Sequence, residues 1–324
     1  MQSKITTIFN SIFEEDVYQG LSSYPKYLYS KYIYDEKGDE LFQKIMDLPE
    51  YYLTRKEFEI LSTYRSDIAQ LFESGEGFDL IELGAGDGKK TKILLKELLR
   101  RSSDFTYMPI DISQNSLDLL EASLSDEFPK AKVRPQQGMY FKVLERLAEL
   151  RHRKKVILML GSNIGNLLHP KAITFLRNIQ IAMNPGDLLF MGFDQKKDPQ
   201  TILDAYNDKT GVTAAFNLNL LERINNDLKA NFDLKQFKHW EVYDPETGTA
   251  KSYLVSLKKQ EVTIEALNLN VSFDQWETIH TEISQKYDDK VVAWLANEAG
   301  LTIQQSFTDD DNWYKDYVFT KKID

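Results

Sequence analysis

Phe78-Asp-Leu-Ile-Glu-Leu83 is a short apolar run that opens directly into Gly84-Ala-Gly-Asp-Gly88, and the stretch from Lys90 to Arg101 then places Ile93, Leu94, Leu95, Leu98 and Leu99 at helical spacing. A buried strand, a tight turn and an amphipathic helix in that order are the first half of a βαβ unit, which requires a parallel sheet. The pattern repeats. Phe105 to Ile112 predicts a second strand, Asn115 to Leu124 a helix, Val133 a short third strand, and Val156 to Leu160 and Leu188 to Phe193 a fourth and fifth. From about Lys196 to Lys286 the alternation stops, replaced by helical patterns (Thr201 to Tyr206, Ala214 to Leu228) and a hairpin turning at Pro245-Glu-Thr-Gly248. It resumes with a helix from Asp288 to Ala299 and closing strands at Leu301 to Ser306 and Tyr317 to Thr320. The expected fold is α/β. A Rossmann-like, doubly wound, mostly parallel sheet domain is expected at 63–195 plus 287–324, and a second, α+β domain at 1–62 plus 196–286. Folds of this kind bind ligands over the carboxyl ends of their strands, so an interdomain cleft is the expected site.

Glycine turns of the Glu82 to Lys90 type serve three ligand classes. A phosphate loop needs Gly at 83 and Ser or Thr at 90, where the chain has Leu83 and Lys90. A dinucleotide turn needs Gly or Ala at 89, which is Lys89. S-adenosylmethionine carries no phosphate and needs neither. Its sites combine an acidic residue closing the first strand, a Gly-x-Gly turn and an acidic residue at the tip of the second strand; here these are Glu82, Gly84 with Gly86, and Asp111. A carboxylate at 111 can accept two hydrogen bonds from a ribose diol. The competing reading has Asp111 capping the following helix, with Ser113 as the other candidate cap.

Composition narrows the classes further. The 324 residues include no Cys, which excludes disulfide scaffolds, Cys-based zinc sites, iron–sulfur clusters and thiol nucleophiles. Lys and Arg total 40 against 50 Asp and Glu, a net charge of −10 that repels phosphates on average, so no nucleic-acid partner is expected. No apolar run approaches the ~18 residues of a membrane span, and the N-terminus lacks the signal-peptide pattern; a soluble cytoplasmic protein is expected, with no membrane partner. His152, His169, His239 and His280 are scattered, and Asp309-Asp-Asp311 lacks the Gly and Glu of a calcium loop, so no metal is expected.

Several longer segments carry more information. They are Tyr34-Asp-Glu-Lys-Gly38 with Leu41-Phe42, Leu48-Pro-Glu-Tyr-Tyr52 with Thr54-Arg55, Gly161-Ser-Asn-Ile-Gly-Asn166, Lys197-Asp-Pro199, Ala205-Tyr206-Asn-Asp208, Gly211-Val-Thr-Ala-Ala-Phe-Asn217 and Ile279-His-Thr-Glu-Ile-Ser284. Together they closely resemble the histidine-specific Nα-methyltransferase family, the hercynine-forming enzymes of ergothioneine biosynthesis, from about Tyr34 to the C-terminus. The resemblance implies a class I methyltransferase domain, S-adenosylmethionine as methyl donor, and three successive methylations of the α-amino group of free L-histidine; a monomer is expected. It implies that Gly84, Lys90 and Asp111 bind the donor, beside Glu82 and Gly86 of the turn already described. Met139 and Tyr140 join them, standing where the family typically has Asp-Phe. It further implies that Asn166 and Tyr206 hold the substrate carboxylate and α-amine. Glu282 and Ser284 then recognise the imidazole, Tyr51 reaches the ring from the other side, and Tyr34, Phe42 and Gly161 line the cleft.

The residues by themselves leave alternatives open. Asn166 also suits a loop position satisfying backbone groups, Glu282 and Ser284 the polar face of a surface strand, and Tyr34 and Phe42 an aromatic core. Ser252 is expected where the family's histidine enzymes carry Met; a smaller side chain there would suit a larger ring, which makes tryptophan the alternative substrate. Met139 likewise motivates a non-catalytic binding homologue as a further alternative.

Overall fold

The computed structural model describes residues 9–111, 113–138, 142–145 and 153–322. The chain divides into two compact units, one of residues 1–52 and 197–284 and one of 53–196 and 285–324. The first junction lies at 52/53, where the sequence pattern set it at 62/63, because one long helix packs its end into the sheet unit, with Phe72 edge-on to Phe78 and Phe190.

The chain opens with α1 (Ile12–Ser22), β1 (Lys26–Tyr27) and α2 (Glu36–Met46). It continues through α3 (Tyr52–Phe72), β2 (Phe78–Leu83), α4 (Thr91–Arg100), β3 (Phe105–Asp111), α5 (Gln114–Glu127), β4 (Lys132–Val133), β5 (Gln136–Gln137), β6 (Lys154–Met159), α6 (His169–Ala182) and β7 (Leu188–Asp194). Next come α7 (Pro199–Tyr206), α8 (Val212–Leu228), β8 (Phe237–Asp244), β9 (Thr249–Ser256), β10 (Gln260–Ile264), β11 (Leu269–Phe273) and β12 (Thr278–Gln285). Then α9 (Asp289–Glu298), β13 (Leu301–Thr308) and β14 (Tyr314–Lys321) follow.

In the sheet unit the strands run in the order β13-β14-β7-β6-β2-β3-β4, with β5 also paired to β3. The run from β7 to β4 is parallel, and β14 slots antiparallel between β7 and β13. This is the doubly wound, mostly parallel architecture that the alternation of runs and helices predicts. Central strands of such a sheet are covered on both faces, which is why Leu80, Ile81 and Leu83 of β2 are all buried. Leu94, Leu95 and Leu98 on one face of α4 are fully buried too, each contributing about 1.5–3 kcal/mol.

The other unit is built on a sheet ordered β1-β12-β9-β8. Along β8, Phe237, His239 and Glu241 are buried while Trp240 and Val242 are exposed, the period of a strand covered on one face. His239 Nε2 bonds the Tyr206 carbonyl at the end of α7, 2.9 Å away. Two of the quoted segments turn out to brace this unit. Asp35 caps α2 by accepting from the Gly38 amide at 2.8 Å, and Asn219 of α8 donates to the same carboxylate at 2.8 Å. A Cβ on Gly38 would collide with the Ile33 carbonyl oxygen, so only glycine fits there. Asp208 accepts from the amides of Val212 and Thr213 at the start of α8, 3.1 and 2.7 Å away; these bonds, with that of the Thr210 hydroxyl, outweigh burial and hold its carboxyl at about 2. No helix among the described residues is long and apolar enough to cross a membrane.

Candidate functional site

The glycine turn connects β2 to α4 at the carboxyl edge of the sheet. Gly84, Gly86 and Gly88 have φ of 75°, 53° and 68°, values that L side chains rarely adopt. They do different things. A Cβ on Gly88 would stand 2.6 Å from Leu120 Cδ1, whereas one on Gly86 would meet nothing within 4 Å, so Gly88 packs the turn and Gly86 faces open space. Glu82 lies beneath the turn, its carboxyl accepting from Thr91 Oγ1 at 2.6 Å and from the Tyr107 hydroxyl. Complete burial pushes it up to about 7 although both hydroxyls pull the other way.

Asp111 is the last residue of β3. One of its oxygens accepts from the Ser113 amide at 2.8 Å, and Ser113 in turn caps α5 through the Ser116 amide at 3.2 Å. The cap is therefore Ser113, and Asp111 stays at the strand tip. Lys90, entering α4, pairs with the buried Glu57 of α3. Met139 and Tyr140 lie outside the described residues, as does His152.

The loop after β6 is pinned at every turn. The Gly161 amide donates to both Glu57 oxygens, at 2.9 and 2.8 Å. Ser162 Oγ accepts from the Asp194 amide at 2.9 Å, and the Ile164 carbonyl accepts from the Tyr287 hydroxyl at 3.1 Å. A Cβ on Gly165 would come to 3.0 Å of the Gln285 carbonyl oxygen. The loop ends in a short 3-10 turn, Asn163–Asn166, which leaves Asn166 exposed. The Gly161 amide and the Ile164 carbonyl of this loop are met by residues other than Asn166.

Six of the expected substrate residues, Tyr34, Phe42, Tyr51, Tyr206, Glu282 and Ser284, fall in the other unit, while Gly161 and Asn166 belong to the sheet unit. The hydroxyls of Tyr206 and Ser284 are 2.8 Å apart. Ring contacts join Tyr206 to Tyr51 (6.2 Å between centroids), Tyr51 to Phe42 (6.2 Å) and Phe42 to Tyr34 (5.6 Å), all three edge-on. Glu282 and Ser284 share β12, two residues apart, on the same side of an extended strand. Burial first, and then the Glu282 charge, raises the Tyr34 hydroxyl well above its ordinary value. Tyr34 nevertheless keeps 38% of its surface exposed and Phe42 is half-buried, so neither ring is sealed inside a core. Glu282 and Ser284 are both half-buried. Phe216 of α8, whose ring meets Tyr34 at 5.3 Å, completes the cluster; it stood inside a quoted segment without being singled out, since buried helix aromatics look alike in sequence.

Ser252 is buried. It sits opposite Glu241 in the β8–β9 hairpin and donates to that carboxylate at 2.7 Å, so its side chain is spent inside the sheet.

A family model described as "Histidine-specific methyltransferase, SAM-dependent" matches residues 13–321. The chain is 36% identical over 296 residues to the histidine N-alpha-methyltransferase of Mycobacterium tuberculosis, covering 91% of this chain and 90% of that protein. It is 37% identical over 302 residues to the protein of the same name from Mycolicibacterium smegmatis, covering 91% and 90% respectively. Ergothioneine biosynthesis protein 1 of Schizosaccharomyces pombe is 30% identical over 301 residues, 91% of this chain and 39% of that longer protein.

Proposed function

The chain belongs to the SAM-dependent, histidine-specific methyltransferases, and from that membership we propose that it trimethylates the α-amino group of L-histidine to hercynine, a step of ergothioneine biosynthesis. The observation that carries the choice of substrate is Ser284, two residues from Glu282 on β12 with its hydroxyl 2.8 Å from that of Tyr206, among the rings of Tyr34, Phe42, Tyr51 and Phe216. A carboxylate and a hydroxyl pair serve the polar edge of an imidazole, and aromatic rings serve its faces.

S-adenosylmethionine supplies, when bound, an electrophilic methyl on a sulfonium. The sheet unit suits that ligand: the turn is open at Gly86, a carboxylate stands at the tip of β3 for a ribose diol, and Lys90 offers an ammonium for a carboxylate. In this reading Glu82 acts from beneath, bracing the turn through Thr91 and Tyr107. Asn166, with both a donor and an acceptor, and Tyr206 hold the amino-acid head group. Glu282 and Ser284 hold the ring. Attack by a neutral amine on a sulfonium methyl asks the protein mainly for alignment and exclusion of water, which agrees with a site rich in rings and pinned loops. The chain acts as a monomer on a free amino acid.

The test is incubation with methyl-labelled S-adenosylmethionine and a panel of amino acids, with mass detection of the products. Three added methyls on histidine are expected. A preference for tryptophan, or transfer to none of the panel, overturns the assignment.

A further inference from the structure

Beneath the loop after β6 lies a buried polar cluster that the reaction as described does not use. Glu57 of α3 is fully enclosed. Its carboxylate receives the Lys90 ammonium, the Gly161 amide at 2.9 and 2.8 Å, and the Tyr314 hydroxyl at 2.9 Å. Asp316, two residues on along β14, is also fully buried, and neither of its oxygens accepts a hydrogen bond from the described residues. The cluster closes over Gly192 of β7, where a Cβ would meet Glu57 and Tyr314 and stand 2.9 Å from Asp316 Oδ1.

The charges of this cluster decide what it can do. An ionised Asp316 with no partner would be very costly to bury. Burial and the neighbouring Glu57 both drive its pKa well above the usual carboxylate range, so Asp316 holds a proton that it can donate to Glu57. The sum of Glu57, Lys90 and Asp316 is then zero rather than −1, and an incoming carboxylate is not repelled. Lys90 gives one of its N–H groups to Glu57 and can turn the others to a ligand. A Cβ on Gly161 would be 3.6 Å from Lys90 Nζ, so the ammonium and the loop leading to Asn166 are held against each other by the same carboxylate.

We propose that Glu57, steadied by Tyr314 and Asp316, is a positioning residue for the methyl donor, aiming the Lys90 ammonium and anchoring the Gly161 amide at the head of the Asn166 loop. This rests on the assignment of Lys90 to the donor made above.

Glu57→Gln keeps an acceptor for the Gly161 amide and removes the ion pair with Lys90. It is expected to raise the KM for S-adenosylmethionine about ten- to hundredfold, the range of a lost charged hydrogen bond. A parallel loss in calorimetric affinity for S-adenosylhomocysteine is expected, with kcat at saturating donor and the histidine KM changed less than about threefold. Glu57→Ala, which also frees the loop, is expected to raise the histidine KM as well. Asp316→Asn presents an amide donor to Glu57 without charge and is expected to keep the wild-type donor KM within about threefold. Should Glu57→Gln not fold, Tyr314→Phe removes a single hydroxyl and is expected to give the same donor-selective change on a smaller scale. A folded Glu57→Gln or Tyr314→Phe with unchanged donor KM, or with kcat and both KM values degraded alike, overturns the inference. A wild-type protein that transfers no methyl to histidine overturns the proposed function instead, and calorimetry with S-adenosylhomocysteine still reads the Glu57 effect.

Discussion

Glu82 offers a stability measurement that isolates one buried proton. Its carboxyl is ordinarily near 4.5 and is pushed to about 7 by burial in the folded chain. At 1.36 kcal/mol per unit, the shift corresponds to about 3 kcal/mol. The raised value means that the folded state prefers the protonated form. The contribution is therefore fully present below the unfolded value and is lost as pH rises through the folded one. Between pH 5 and pH 9 the wild-type chain should lose about 2.5 kcal/mol from this group alone. Glu82→Gln has no proton to lose. Its carbonyl can accept from Thr91 and its amide can meet the Tyr107 oxygen, the two partners that Glu82 has now. Urea unfolding of both proteins, followed by tryptophan fluorescence at pH 5, 7 and 9, should show the variant gaining on the wild type by that amount as pH rises, with a common m value. A gap that stays constant across the three pH values would mean that Glu82 titrates as an ordinary carboxyl, and the reasoning from its enclosure would fail.

Other substitutions separate the two halves of the reaction. Glu282→Ala should raise the histidine KM about ten- to hundredfold while calorimetric affinity for S-adenosylhomocysteine stays put; an unchanged KM would remove Glu282 from the ring contact. Asp111→Ala should weaken S-adenosylhomocysteine binding first, and damage confined to histidine would refute its assignment to the donor. Ser284→Ala should narrow the preference for histidine over tryptophan, read as the ratio of the two kcat/KM values, and a ratio that does not move would detach the hydroxyl pair from substrate choice.

The sheet was legible because its signals are local. An apolar run, a glycine turn and a helical face are each written within a dozen or so residues, and β2, β3 and β7 lie where those runs put them. The strand pair β10–β11 was missed although its alternation is written: Thr263 separates Val262 from Ile264, and Asn270 and Ser272 separate Leu269, Val271 and Phe273, but each run is only five residues long. The junction after Tyr52 was missed for a related reason, since a helix pattern does not say which sheet its far end packs on. Of the candidate site, the glycines and Asp111 could be named because chemistry restricts the residue types there, and the β12 pair only through the family resemblance. Glu57 could not be. A glutamate at one position of a long helix looks like a solvated charge, and only the fold brings Gly161, Lys90 and Tyr314 to it from distant parts of the chain.

Substrate choice turns on the same distinction between what a position permits and what its neighbours demand. A small residue at 252 permits a larger ring only if its side chain borders the site, yet Ser252 is committed to Glu241 inside the hairpin. The residues grouped around Tyr206 make the stronger demand. A neutral imidazole has one ring N–H to give and one ring nitrogen to accept with, whereas an indole has only an N–H. Glu282 can accept from either ring. The Tyr206–Ser284 pair can give as well as accept, and a hydroxyl proton turned toward the ring finds an acceptor in imidazole and none in indole. Leaving such a donor without a partner in a desolvated site costs about 1–3 kcal/mol, roughly ten- to hundredfold in rate. Sites discriminate most sharply against an analogue that strands their buried polar groups, so under the proposed assignment Ser284→Ala should cost more of the preference for histidine than any change of volume at 252.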